Sequence, residues 1–213
     1  MTSLLVVAAH PAETAYLPPD TDVVLTGIGM SRAATHTTRA ILERVPNSAE
    51  RDDLLVVNLG SCGGLRPGVS GIHEPSVVLN RDINVQAMRA MGSDPQESIA
   101  LAALGQSGDG SVLATGDAFV ADGSIRDALA ERAHLVDMEG FAVAVACREL
   151  GVGLRMVKHV SDDAGEQALD WAARVDASAR ALATWWEQFL TRVQNGTPQR
   201  TRSTSDDNRG AAS

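Results

Sequence analysis

Four carboxylates stand where an apolar run gives way to a loop or turn. Glu13 follows residues 3–9, and Asp117 follows residues 112–115. Glu139 opens an alanine- and valine-rich segment, and Asp162 follows residues 154–160. Two carboxylates facing one pocket are the usual equipment for breaking a glycosidic bond. One protonates the leaving group while the other activates water. Each acid also has a plain structural use. Glu139 can favour the positive end of a helix dipole, and Ser161 or Asp162 can cap a following helix.

Other chemistries lack their parts. Thr26-Gly27-Ile28-Gly29 follows an apolar run, but a dinucleotide fingerprint needs a third glycine and a distant acid that are missing. Gly60-Ser61-Cys62-Gly63-Gly64 has no Lys-Ser or Lys-Thr pair, so it is not a triphosphate loop. It reads as a tight turn, or as backbone that approaches a ligand closely with the Ser61 hydroxyl as a polar contact. The five histidines show no metal spacing and no Gly-x-Ser-x-Gly elbow is present. His10 and His159 neighbour candidate site residues, and each alone reads as an ordinary polar or core histidine. No metal and no cofactor are expected.

The elements that must position these acids follow from the apolar pattern. Strands are expected at residues 3–9, 22–25, 54–58, 75–79, 112–115 and 154–160. Helices are expected at 31–44, 124–132, from Glu139 to the turn at Gly151, and at 171–193. Residues 59–65 read as a glycine-rich turn, 136–140 as an acidic turn, and 80–110 as a candidate mobile flap. Regular interleaving of strands and helices predicts an α/β fold, a three-layer αβα sandwich on a mostly parallel mixed sheet. Ligands of such sheets sit outside the carboxyl ends of the strands. Residues 1–193 are expected to form one domain. Residues 194–213, rich in Thr, Ser, Arg, Asn and Gly, read as a disordered tail.

Composition narrows the function classes. Aromatics are only 3% of the 213 residues, so the core is aliphatic, as suits a helix-covered sheet. The net charge of −9, without a basic run in the globular part, argues against nucleic-acid binding. A small anionic ligand stays compatible with a locally positive pocket. No apolar run reaches the roughly 18 residues of a membrane span. The two cysteines, Cys62 and Cys147, read as reduced thiols. A soluble cytoplasmic protein is expected.

Five segments in order resemble the nucleoside phosphorylase and nucleosidase superfamily. They are Thr26-Gly27-Ile28-Gly29 with Ala33-Ala34 behind it, Asn58 to Leu65, Ala114-Thr115-Gly116-Asp117-Ala118-Phe119, Val136-Asp137-Met138-Glu139-Gly140, and Val160-Ser161-Asp162. The resemblance spans nearly all of residues 3–190. It is strongest to the hydrolytic branch typified by methylthioadenosine/S-adenosylhomocysteine nucleosidase. It implies that Asp162 is the general acid on the purine and Glu13 the water-activating carboxylate. Glu139 and the Met138 backbone would bind the ribose. Phe119 would stack on the base and Val120 would contact its edge. Gly60, Ser61, Lys158 and Ser161 would line the site. The implied partner is a small nucleoside substrate, and the implied assembly a homodimer.

Hydrolysis is favoured over phosphorolysis. The superfamily's phosphorylases usually carry an arginine where this chain has Asn58, and Glu13 suits water. Two departures stand out. Lys158 replaces an arginine of the nucleosidases, keeping the charge but losing the planar fork. Arg32 stands where the hydrolases usually have a small or neutral residue, and could supply a cation. The alternatives are a phosphate-dependent phosphorylase, a futalosine hydrolase-like enzyme, and a non-catalytic nucleoside binder.

Overall fold

The computed structural model describes residues 2–165 and 171–195; the expected tail beyond 195 lies outside them. Among the described residues, nine strands form one sheet: β1 (Ser3–Ala8), β2 (Val23–Leu25), β3 (Leu54–Gly64), β4 (Gly71–His73), β5 (Val77–Asn80), β6 (Ser98–Ala100), β7 (Val112–Thr115), β8 (Leu135–Asp137) and β9 (Gly153–Asp162). Their order is β2-β1-β3-β8-β7-β5-β6, with β9 beside β3 and β4 on the remaining edge of β9. Five of the eight pairings are parallel. The expected mixed, mostly parallel α/β architecture is borne out.

Strand alternation sends successive side chains to opposite faces. Leu5, Val7, Val56, Leu154 and Met156 join a core with α1 (Met30–Arg44) and α4 (Gly140–Leu150). Val6, Val57, Leu59 and Val157 join Leu182, Trp185, Trp186 and Phe189 of α5 (Trp171–Gln194). The sheet is therefore buried on both faces, and α5 concentrates the scarce aromatics. Trp185 stacks on Phe189 with ring centroids 5.0 Å apart.

β3 organises the site. Residues 54–58 pair with β1 on one edge, while residues 55–63 pair with β9 on the other. Gly63 and Gly64 then pair with β8 on the edge that β1 has left. Between Asn58 and Gly63 that edge has no strand partner.

Several expected boundaries are corrected. Residues 59–64, expected as a turn, continue β3, and Val136-Asp137, also expected as a turn, belong to β8. Asp162 is the last residue of β9 rather than a residue beyond it. Glycines carry little strand propensity of their own, so neighbouring strands rather than local preference hold this stretch extended. Within 80–110, α2 (Val85–Ala90), β6 and a 3-10 turn at Leu101–Leu104 replace the expected flap. Ile99 and Leu101 are buried in the core. The Gln106 side-chain amide donates to the Pro75 carbonyl at 2.7 Å and accepts from the Met156 amide at 2.6 Å, which pins this segment to β9. Among the described residues, no helix is long and apolar enough to cross a membrane.

Leu182 is fully buried between α5 and the sheet. Truncating it leaves a cavity in addition to the lost transfer energy. Leu182→Ala is therefore expected to lower unfolding stability by about 2–5 kcal/mol, as read by urea denaturation at constant slope.

Candidate active site

Glu13 fills the unpaired edge of β3. It lies in a 3-10 turn, Pro11–Thr14, that starts at His10, whose Nδ1 accepts from the Ala12 amide at 3.1 Å. Proline suits the first position of such a turn, where no amide donor is needed. The Glu13 Oε1 accepts from the Ser61 amide at 2.7 Å and the Ser61 hydroxyl at 2.8 Å. Its Oε2 accepts from the His10 amide at 3.1 Å. The carboxylate is buried and takes the place of a neighbouring strand.

Lys158, on β9, points its ammonium at the same place. A Cβ at Gly60 would lie 3.0 Å from Lys158 Nζ and 3.5 Å from Glu13 Oε1, so glycine leaves that space to the charged groups. Lys158 Nζ is 2.8 Å from Asp137 Oδ2, and both side chains are almost fully buried. Burial works against the ammonium, but the Asp137, Glu139 and Glu13 carboxylates outweigh it and raise its pKa.

Asp137 is the residue the sequence reading passed over. Its Oδ1 accepts from the Thr115 hydroxyl at 2.6 Å and its Oδ2 from the Gly140 amide at 2.9 Å. Thr115 Oγ1 in turn accepts from the Phe141 amide at 3.0 Å. Asp137 thereby satisfies the start of α4, the task that Glu139 could have had. Glu139 makes no side-chain cap; its Oε1 accepts from the Gly29 amide at 2.8 Å. Burial first, then the Asp137 charge, push the Glu139 carboxyl up to about 7 against the opposing pull of Lys158.

Asp162 lies at the other end of the gap. It pairs with Gly63 in the β3–β9 ladder, and the register skips Ser161. Bulges of this kind re-aim side chains. Asp162 Oδ2 accepts from the Ser161 hydroxyl at 2.7 Å, and its Oδ1 accepts from the Ala164 amide at 2.9 Å. Ala164 adopts φ of 51°, a left-handed conformation unusual for alanine. Glu13 engages Ser61 and Asp162 flanks Gly63, two residues along one strand. At the usual strand rise that separates their anchor points by ~7 Å.

The remaining candidates divide. Met138 is half-buried between the two acids of its segment. Phe119 is half exposed, whereas Val120 packs into a buried cluster with Leu65, Leu79, Ala114 and Val136. Asp117 binds the Met30 amide at 2.6 Å, tying the β7 loop to the start of α1. His159 faces away, with Nδ1 2.9 Å from the Ser178 hydroxyl on α5.

Arg81 and Asp82 were missed as well. Arg81 donates to the carbonyls of Gly116 and Ala118, and Asp82 accepts from the Asp117 amide at 2.7 Å. Together they clamp the loop that carries Phe119. An Arg-Asp pair directly after the apolar run 75–79 is the kind of strand-end signal that singled out the other acids. No group of three or more His, Cys, Asp or Glu side chains among the described residues is arranged to hold a metal ion.

The chain is similar to known proteins in part of its sequence and in its fold. Residues 108–193 match the family model described as the phosphorylase superfamily. The 5'-methylthioadenosine/S-adenosylhomocysteine nucleosidase of Shewanella sp. (strain W3-18-1) is 27% identical over 170 residues, covering 69% of this chain and 71% of that one. The Helicobacter pylori 5'-methylthioadenosine/S-adenosyl homocysteine nucleosidase, solved with a pyrrolidinol ligand, superposes with a TM-score of 0.73 at 18% identity, covering 90% of this chain and 98% of that one. The native futalosine hydrolase of Helicobacter pylori gives 0.72 at 18% identity, with the same coverage.

The buried pair yields a stability test. Lys158→Met leaves Asp137 buried without its cation and is expected to cost about 3–5 kcal/mol. Adding Asp137→Asn removes the orphaned charge, so the double variant is expected to recover much of that loss in the same denaturation experiment. A double variant no more stable than Lys158→Met would show that the pair contributes nothing as a pair.

Proposed function

We propose that this chain is a member of the phosphorylase superfamily and hydrolyses the N-glycosidic bond of a purine nucleoside, releasing free base and a ribose derivative. The observation that carries the reading is the seating of Glu13 in the open edge of β3, held by Ser61 and His10, about two residues of strand from the Asp162 position. In this reading Asp162 gives a proton to the departing purine. The sugar then carries the positive charge of an oxocarbenium-like species, which nearby carboxylates stabilise. Glu139 accepts from the ribose hydroxyls. Glu13 takes a proton from the attacking water, whose oxygen forms the new bond to the anomeric carbon.

Two observations support water over phosphate as the nucleophile. Lys158, the buried cation beside Glu13, is already matched by Asp137, Glu139 and Glu13. Asn58, where the phosphorylases usually carry arginine, is buried with its amide donating to the Val7 carbonyl at 3.1 Å. Phosphate needs dedicated cations, and this end of β3 offers none to spare. The relatives named as nucleosidases favour an adenine-type purine. In this reading Phe119, on the loop that Arg81 and Asp82 clamp, stacks on the base.

The test is release of base from methylthioadenosine, S-adenosylhomocysteine, 5′-deoxyadenosine, adenosine, inosine and futalosine, with and without phosphate. Free base and free sugar without phosphate are expected. Turnover only with phosphate, yielding a sugar 1-phosphate, would sink the reading. Asp162→Asn and Glu13→Gln are each expected to lower kcat by about 10²–10⁴, with substrate affinity falling far less. A binder without chemistry would show no turnover to lose.

Glu139 adds a pH signature. It must be ionised to accept two ribose hydroxyls, and burial holds its carboxyl up to about 7. In the free enzyme kcat/KM is therefore expected to rise with pH through that region. Glu139→Gln should lower the rate and flatten this acidic limb, and a limb that persists in the variant would assign it to another group.

A further inference from the structure

The turn that carries Glu13 has a second attachment, outside the candidate site. Leu17 packs into the cluster that α5 builds with the sheet. Tyr16, beside it, reaches an exposed flank of α5. Its hydroxyl donates to Asp176 Oδ1 at 2.5 Å and accepts from Arg180 Nη2 at 2.5 Å. Arg180 Nε donates to Asp176 Oδ2 at 3.0 Å, and its guanidinium lies 4.1 Å from the centre of the Tyr16 ring. Each of the three side chains therefore bonds the other two. The hydrogen bond to Asp176 raises the Tyr16 pKa, while the bonds from Tyr16 and then Arg180 lower that of Asp176. Ser61 and His10 hold the Glu13 carboxylate; Tyr16 and Leu17 hold the backbone that follows it.

The other flank of the same helix reaches the strand that ends in Asp162. Arg174 Nη1 donates to the Ser161 carbonyl at 3.4 Å, and the Ser178 hydroxyl is 2.9 Å from His159 Nδ1. Arg174 and Ser178 stand about one helical turn apart, as do Asp176 and Arg180, and the helical repeat sets the two pairs on different flanks. Val175, Ala179 and Leu182 lie buried between them. One helix, pressed on the sheet through its middle stripe, thus holds the Glu13 turn along one flank and the end of β9 along the other. Isolated exposed ion pairs contribute little. Here the exposed groups form a closed network, and they anchor a short 3-10 turn, whose own hydrogen-bond geometry is poor.

We propose that the first turns of α5 are a bracket between the two acids, with Tyr16, Asp176 and Arg180 as positioning residues that act on the reaction through Glu13. The roles of the acids rest on the hydrolase reading. A proton acceptor works only at the right distance from the bond it serves, and a displacement of about 1 Å can cost about a hundredfold in rate. The bracket fixes that distance from the surface, without placing a further group in the site.

The variants are Tyr16→Phe, which keeps the ring and loses the hydroxyl, Arg180→Met, and the conservative Arg180→Lys. Each is assayed on the nucleoside that the natural chain cleaves best. Tyr16→Phe and Arg180→Met are each expected to lower kcat by about tenfold while KM changes by less than about twofold. Arg180→Lys should fall between. The double variant should be no slower than the slower single, because the three side chains act as one unit. In a Glu13→Gln background Tyr16→Phe should have no further effect. Unchanged kcat in the single variants, or an equal loss with and without Glu13, overturns the proposal. The chain has a single tyrosine, so ultraviolet spectra of phenol ionisation report Tyr16 alone. Asp176→Asn is expected to move that ionisation to lower pH, and an unmoved ionisation also overturns the proposal. If the natural chain cleaves no nucleoside, the hydrolase reading fails by itself. The bracket is then judged as a tether of Glu13, from hydrogen exchange. In Arg180→Met the amides of Ala12, Glu13 and Leu17 are expected to exchange about tenfold faster while those of β3 stay unchanged. Equal exchange in the two proteins would sink it.

Discussion

One ammonium group, buried with three acids, holds the candidate-site end of the fold together. Lys158 Nζ stands 2.8 Å from Asp137 and carries the electrostatic influence of Glu139 and Glu13. Taken out of water alone, that charge would cost several kcal/mol. With its acids in place it joins four separate pieces of chain: β9, the end of β8, the start of α4 and the turn after β1. The balance is deliberately unequal. Asp137 is the nearest acid and also takes bonds from Thr115 and Gly140, so it claims most of the cation. Glu139 is left buried beside an acid and only partly compensated, and its carboxyl moves up to about 7. The same cluster that secures the fold thereby sets the proton affinity of the group we assign to the ribose.

Much of this was legible in the residues. Short apolar runs at 3–9 and 154–160 identify strands buried on two faces, and the aromatic spacing in 171–193 identifies the helix that covers one of them. Of the acids at strand ends, Glu13 binds Ser61 of β3 and Asp162 pairs with Gly63, while Glu139 binds the Gly29 amide. Asp137 was invisible because its role depends on Lys158, twenty-one residues later and two strands away in the sheet, and neither residue is marked by its immediate neighbours. The extension of β3 through Gly64 was hidden for a related reason. Glycines look like a turn to any local rule, yet here each absent side chain makes room for a charged group or a packed strand, and the ladder on the β9 side keeps the backbone extended.

The segment 80–110 was misread for the opposite reason. Its methionines, its Asp94-Pro95 step and its charges carry no clear period, so locally it resembles a loop. Its order comes from elsewhere: β6 borrows the edge of β5, Gln106 is fixed by Pro75 and Met156, and Arg81 and Asp82 engage the β7 loop. Long-range hydrogen bonds of this kind leave no local trace in a sequence. They also tie the segment to the loop that carries Phe119.

The place of the site follows from a single interruption in the sheet. β1 leaves the edge of β3 after Asn58 and β8 joins it only at Gly63, so the amide of Ser61 must find a partner other than a strand. A buried amide left unpaired would be costly, and the Glu13 carboxylate meets the need. That demand brings a carboxylate into the interior with its oxygens already oriented by backbone donors. The opposite edge stays laddered through Gly63, where the register skips Ser161 and Asp162 accepts from the Ser161 hydroxyl. An acid on each side of one strand, two residues apart along it, is thus a consequence of how three strands share the edges of a fourth. In the proposed reaction the glycosidic bond lies between these two acids, with Asp162 as proton donor and Glu13 as proton acceptor.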